Sequence, residues 1–313
     1  MNYTQSSARL PDQPLGIVAP ASPPRIPERL ERGLSALAAD GYVTNWDPDQ
    51  LIPHGYLAGS DTQRTEQFNQ ALLRNRFLMA LRGGYGCLRI LDGIDYDAAR
   101  RERGVLIGYS DITALQLSLF KHAGWRSVSG PVVVEWGEID TAMKEALRQL
   151  LEGQLPPPVA DLQTLQEGQC TGTLLGGNLS SIVRMIGSPH LPSLQGALLF
   201  IEDVNEAPYR IDALFAQLKN AGILNKLGGL IVGAFTGPDI NDEQSRRNVN
   251  EIIAGYASGY AWPVVAGLTY GHFIPRRVLP IGVVARLTAG INEGRLDILE
   301  PIVHPKFSQT GQK

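Results

Sequence analysis

The chain has 313 residues, 43% hydrophobic and 19% charged, with a formal net charge of −3. That length suits two α/β domains, and the composition is that of a soluble globular protein. The negative balance, with no basic run of five or more residues, speaks against a nucleic-acid or anionic-membrane partner.

The first residues, MNYTQSSARLPDQPLG, lack the basic and then apolar regions of a secretory signal. No stretch reaches about 18 consecutive apolar residues, so no membrane span is expected. Two isolated cysteines, Cys87 and Cys170, fit a reducing compartment. The expected location is cytoplasmic.

Strand-like apolar runs alternate with helical stretches in the first half, as in a parallel sheet with crossover helices. Residues 15–20 read as a buried strand. In the helix expected after it, Ile26, Leu30, Leu34 and Leu37 share one face up to Gly41. A second helix is expected over 61–74, started by the capping-box spacing of Ser60 and Gln63. Residues 77–86 form a strand running into a glycine-rich turn, 104–111 a third strand, and 112–124 its helix, closed by Gly124. Another helix lies near 141–152.

Pro156, Pro157 and Pro158 then change the character of the chain, because proline donates no amide and favours an extended path. The expected organisation is an N-terminal domain over 1–155, a linker over 156–170 and a C-terminal domain over 171–313. The second half reads as a Gly-rich turn into a helix (171–188), a strand ending in acids (196–205), a helix (208–224), a strand (228–237), a helix (242–257) and further strands around a loop.

Ser110 ends the apolar run Val105–Gly108 and begins a helix. Ligands collect outside the carboxyl ends of parallel strands, where helix N-termini aim N–H groups. The serine is therefore either a helix N-cap or a nucleophile. Gly-Tyr-Ser-Asp-Ile lacks the second glycine of G-x-S-x-G, which counts against a standard α/β-hydrolase.

Arg82-Gly83-Gly84-Tyr85-Gly86 is a tight turn, an oxyanion-hole donor or, less well, a nucleotide cradle, since no phosphate-loop register occurs. Cys87 after it reads as buried filling. His272 follows Gly271 beyond the apolar run Val264–Leu268, whereas His54, His122, His190 and His304 show no clear partner in sequence. Glu202 and Asp203 end a strand in the same half; one of them could orient an imidazole, and both could equally be solvated acids or helix caps. No spacing suggests a metal site.

In combination, IVAPAS (17–22), YLAGSD (56–61), LRGGYGCLRIL (81–91), LIGYSDITAL (106–115), GPV (130–132), GTLLGGNLS (172–180), FIEDVNEAPYRID (200–212) and GLTYGH (267–272) resemble the LD-carboxypeptidase (muramoyltetrapeptide carboxypeptidase) family. The likeness runs through nearly the whole chain. It implies a Rossmann-like parallel-sheet N-terminal domain and a smaller β-rich C-terminal domain, often as a homodimer. It also implies a cofactor-free serine peptidase that removes D-alanine from murein tetrapeptides during cell-wall recycling.

Under the resemblance Ser110 is the nucleophile, Glu202 the relay acid and His272 the general base, with the Gly84 and Asp111 amides as oxyanion donors. A carboxypeptidase must also hold a free carboxylate, for which Arg82, Arg210, Arg276 and Arg277 are candidates. Two alternatives stand beside this reading. One is an immunity-type peptidase cleaving peptidyl-nucleotides such as microcin C, with an aromatic near Trp136 or Tyr270 stacking the base. The other is a non-catalytic Rossmann-like ligand-binding module.

Overall fold

The computed structural model describes residues 13–237, 248–291 and 293–303. Strands β1 (Leu15–Val18), β3 (Phe77–Ala80), β4 (Val105–Gly108) and β5 (Arg126–Ser129) pair in parallel, with β2 (Thr44–Asn45) at one edge; β5 begins on the partly buried Arg126, whereas β1, β3 and β4 are fully buried and built of apolar or small residues. They read as continuous hydrophobic runs because helices cover the sheet faces. The connecting helices are α1 (Pro27–Ala39), α2 (Asp61–Arg74), α3 (Tyr96–Glu102), α4 (Thr113–Ala123) and α5 (Thr141–Leu151).

The expected capping box is present. Ser60 Oγ accepts the Gln63 amide at 3.2 Å, and the Gln63 side chain accepts the Ser60 amide at 2.9 Å. Ile26, expected on the buried helical face, instead precedes α1 and is half exposed.

The strand order β5-β4-β3-β1-β2 reverses direction beside β1, and the crevice at such a switch point lies outside the carboxyl ends of the strands. A sixth strand comes from the second half of the chain. β11 (Leu279–Ile281) runs antiparallel to β5, so the sheet is mixed at that edge.

The second half closes a seven-stranded barrel in the order β10-β6-β13-β12-β7-β8-β9. Its strands are β6 (Val159–Gln166), β7 (Gly168–Asn178), β8 (Leu198–Val204), β9 (Gly229–Thr236), β10 (Val264–Ala266), β12 (Val283–Ala289) and β13 (Gly294–Ile298), with helices α6 (Leu179–Arg184), α7 (Pro208–Asn220) and α8 (Val249–Ala257).

Two expectations are corrected here. Most of the segment read as a linker, 159–166, is strand β6, whose Gln163, Thr164 and Gln166 pair with β10 and whose Val159 and Leu162 pair with β13. The glycines read as a turn, Gly176 and Gly177, lie inside β7, with φ of 153° and 135°. The beginning of the helix expected over 242–257 falls outside the described residues; α8 starts at Val249.

Candidate active site

The carboxyl ends of β4, β8 and β10 converge on one cleft. Ser110 opens the short 3-10 turn between β4 and α4. Its backbone is left-handed, with φ of 64°, which is unusual for a residue with a Cβ. The turn's side-chain cap is absent at Tyr109, and Ser110 Oγ is aimed instead at His272 Nε2, 2.9 Å away. A glycine is required next to it: a Cβ on Gly83 would come within 2.9 Å of Ser110 Cβ.

His272 sits in the loop after β10, and its Nδ1 lies 2.6 Å from Glu202 Oε2. Glu202 is fully buried in β8. Because a carboxylate accepts only, the network puts the imidazole proton on Nδ1 and leaves Nε2 to accept the Ser110 hydroxyl. The second Glu202 oxygen accepts the Asn178 amide at 3.3 Å.

Asp203, the other acid considered, is occupied elsewhere. It accepts from Asn178 Nδ2 (2.8 Å), Ser180 N (2.8 Å) and Ser180 Oγ (2.7 Å). A register shift between Ile201 and Asp203 accompanies this arrangement, as bulges commonly re-aim side chains beside sites. Asn178 also donates its backbone N–H to Thr113 Oγ1 at 3.1 Å, docking the end of β7 on the start of α4. Sequence reading assigned Asn178 no role, although it lies in the quoted GGNLS segment.

Gly84 lines the cleft beside Ser110, with φ of 114°, and a Cβ there would meet Ser22 Oγ at 2.5 Å. The Asp111 amide belongs to the first turn of a helix, where N–H groups have no partner within the helix. The Asp111 side chain accepts the Cys87 amide at 2.8 Å, which ties the Arg82–Gly86 turn to the serine turn. Burial pushes the Asp111 carboxyl above its ordinary range, partly offset by that hydrogen bond. Cys87 is fully buried, and burial pushes its thiol well up, with the nearby Asp111 adding to this.

The cleft encloses about 430 Å³ and one wall carries Arg25, Arg29 and Arg82. Arg29 is engaged with Glu138, at 2.8 Å, and Arg82 Nη1 donates to the Pro23 carbonyl at 3.0 Å. The Arg82 guanidinium is held below its ordinary value, first by burial and then by the neighbouring Arg25 and Arg29. Such a cation group attracts an anion strongly.

The other arginine candidates lie off this wall. Arg210 is on the exposed side of α7 near Glu206, Arg277 is exposed, and Arg276 is buried against Glu135. Trp136 and Tyr270, considered as stacking partners, are both fully buried and bonded to Asp40 and Ser129 respectively, so neither offers a face to a ligand.

Of the other histidines, His190 does have partners: it is buried, 2.8 Å from Asp92 and 3.2 Å from Ser118. Its neighbours come from distant segments, so no local pattern announced them. His304 lies outside the described residues. Among the described residues, no group of three or more His, Cys, Asp or Glu could hold a metal ion, and no helix is long and apolar enough to cross a membrane.

Comparison with known proteins agrees with the fold and the segments quoted. Residues 15–130 match the LD-carboxypeptidase N-terminal domain and residues 171–287 the LD-carboxypeptidase C-terminal domain. A probable murein peptide carboxypeptidase from Bacillus subtilis is 30% identical, over 95% of this chain and 98% of its own. The crystal structure of a muramoyltetrapeptide carboxypeptidase from Oxalobacter formigenes superimposes with a TM-score of 0.80 at 29% identity, covering 91% of this chain and 98% of that one. A microcin C7 self-immunity protein from Escherichia coli is 27% identical, over 73% of this chain and 76% of its own. On these matches, spread over both halves of the chain, the protein belongs to the LD-carboxypeptidase family and is a serine-type enzyme of that family.

Proposed function

We propose that this enzyme removes a terminal D-amino acid, D-alanine, from cytoplasmic murein tetrapeptides in cell-wall recycling, using Ser110, His272 and Glu202 as a catalytic triad. The observation that carries the reading is the unbroken hydrogen-bonded line Glu202–His272–Ser110, whose serine and histidine line a cleft of ligand size. The names of the Bacillus subtilis and Oxalobacter formigenes relatives support a murein substrate.

His272 Nε2 takes the Ser110 proton as Oγ bonds to the carbonyl carbon of the L-centre. The resulting oxyanion is met by the Gly84 and Asp111 amides. The C–N bond then breaks, and the imidazolium proton goes to the departing amine of D-alanine. Water, deprotonated by His272, attacks the acyl-serine ester; the bond from the acyl carbon to Ser110 Oγ then breaks, and His272 returns the proton to Oγ as the shortened peptide leaves with a new carboxylate. Glu202 holds the imidazole in the required tautomer and balances its transient charge. Each step is complete with side chains, substrate and water, so the reading involves no cofactor.

Of the four arginines considered, Arg82 is the one we assign to the substrate's terminal carboxylate, because it lies on the cleft wall next to Gly83 and Ser110. A homodimer in the cytoplasm completes the reading by family resemblance, and sedimentation of the purified protein tests the dimer. A peptidyl-nucleotide substrate has less support, since both aromatics considered for base stacking are buried.

Mass spectrometry of a murein tetrapeptide incubated with the wild type and with Ser110→Ala tests the proposal. Release of D-alanine by the wild type alone is expected. Turnover of a peptidyl adenylate with no turnover of the tetrapeptide would replace the murein reading with its rival.

A further inference from the structure

The Ser110–His272 hydrogen bond joins two halves of the fold, and something must hold the histidine loop in place. Three observations identify the fastening. Arg276, four residues after His272, has a fully buried side chain whose Nη2 donates to Glu135 Oε2 at 2.6 Å. The other Glu135 oxygen accepts the hydroxyl of Tyr109, the residue before Ser110, at 2.6 Å. The Arg276 guanidinium lies 3.9 Å from the centre of the Tyr109 ring, and that ring is 5.0 Å from the imidazole of His272.

Glu135 therefore grips the serine turn with one oxygen and the histidine loop with the other. Arg276 Nη1 also donates to the Phe273 carbonyl at 3.1 Å, so the same guanidinium braces the backbone beside His272.

We propose that the Glu135–Arg276 pair, with Tyr109 between it and His272, is a positioning device that holds the imidazole in line with Ser110. The inference rests on the triad reading given above. Desolvating two ions offsets most of their mutual attraction, so a buried pair of this kind adds little net stability; setting a geometry is the better-attested use. Tyr109 and Glu135 belong to the first half of the chain and Arg276 to the second, so the pair fixes the one register the proton transfer needs. The loop has a second tie, since the Tyr270 hydroxyl bonds Ser129. Cutting the Glu135–Arg276 contact therefore leaves the loop attached and changes its aim.

The test uses the full-length protein and tetrapeptide hydrolysis. Glu135→Gln/Arg276→Met removes both charges and strands neither. We expect kcat to fall about 10- to 100-fold, the size of effect a small misplacement has, with KM within about twofold of wild type. The far-downfield proton resonance of the His272–Glu202 hydrogen bond should broaden or move, and Arg276→Lys, which keeps the charge and loses the fork, should recover part of kcat.

A double variant with wild-type kcat and an unmoved resonance overturns the inference. Should that variant not fold, Tyr109→Phe carries the test with the same two readouts, and wild-type values in both overturn it. Activity retained in Ser110→Ala would instead remove the triad reading, so the two failures are told apart.

Discussion

His272 Nε2 stands 2.9 Å from Ser110 Oγ although 162 residues separate them in the chain. One partner comes from a strand-to-helix turn of the parallel sheet and the other from a loop leaving the barrel. Ser110→Ala and His272→Ala are therefore expected to lower kcat by about three decades or more. Glu202→Gln should also cost on the order of 10³ in kcat by disturbing the tautomer, with substrate binding retained. Steady-state kinetics check this, and near-wild-type turnover in any of the three would exclude that residue from the chemistry.

The left-handed backbone at Ser110 leads to a separation of stability from activity. A residue with a Cβ pays about 1–2 kcal/mol to sit there, and glycine does not. Glycine's larger unfolded-state entropy returns about 0.4–1 kcal/mol of that. Ser110→Gly should thus be inactive yet as stable as the wild type, or up to about 1.6 kcal/mol more so. Urea unfolding measures it; clear destabilisation would mean that the φ of 64° carries no strain.

Arg82 is predicted to recognise a free carboxylate. Losing one charge-assisted hydrogen bond of about 1.5–3 kcal/mol should lower kcat/KM for the tetrapeptide about 10- to 100-fold in Arg82→Ala. With a tetrapeptide amidated at its C-terminus, the wild type should already be poor, and the variant should lose little more. Equal losses on both substrates would place the carboxylate elsewhere.

Asp111 should make stability fall as pH rises. Its folded-state pKa is raised by burial, so the folded protein holds this proton more tightly than the unfolded chain does. That contribution is full below the ordinary carboxylate range and is lost as pH climbs through the raised folded value. In Asp111→Asn the side-chain oxygen can still accept the Cys87 amide, and no charge is buried. The variant should match the wild type at acid pH and gain on it toward neutrality in thermal unfolding. A gain that grows as the pH falls would reverse the assignment.

The capping box at Ser60 and the run of all-buried strands were legible because each is written in neighbouring residues, whereas Gly176 and Gly177 looked like a turn and proved to lie inside a strand. The helix over 27–39 was legible from its period, although its first expected core residue, Ile26, proved half exposed. The proline cluster misled: it suggested that the linker ran on to residue 170, whereas the chain re-enters regular structure at Val159. A half-polar barrel strand and an exposed connection look alike until the strand's partners are known.

By itself the sequence determined the local grammar: buried strands, helix starts, and the placing of Ser110, Glu202 and His272 near the ends of apolar runs. The family resemblance pointed to Glu202; only the tertiary structure decided why the imidazole meets it and not Asp203, that Arg82 alone of four candidate arginines lies on the cleft wall, and that Glu135 joins Tyr109 to Arg276. The reason is physical. Hydrogen bonding and periodicity within an element act over a few residues, whereas these choices depend on strand register, a bulge in β8 and the packing of a barrel loop on a sheet that begins over 250 residues earlier.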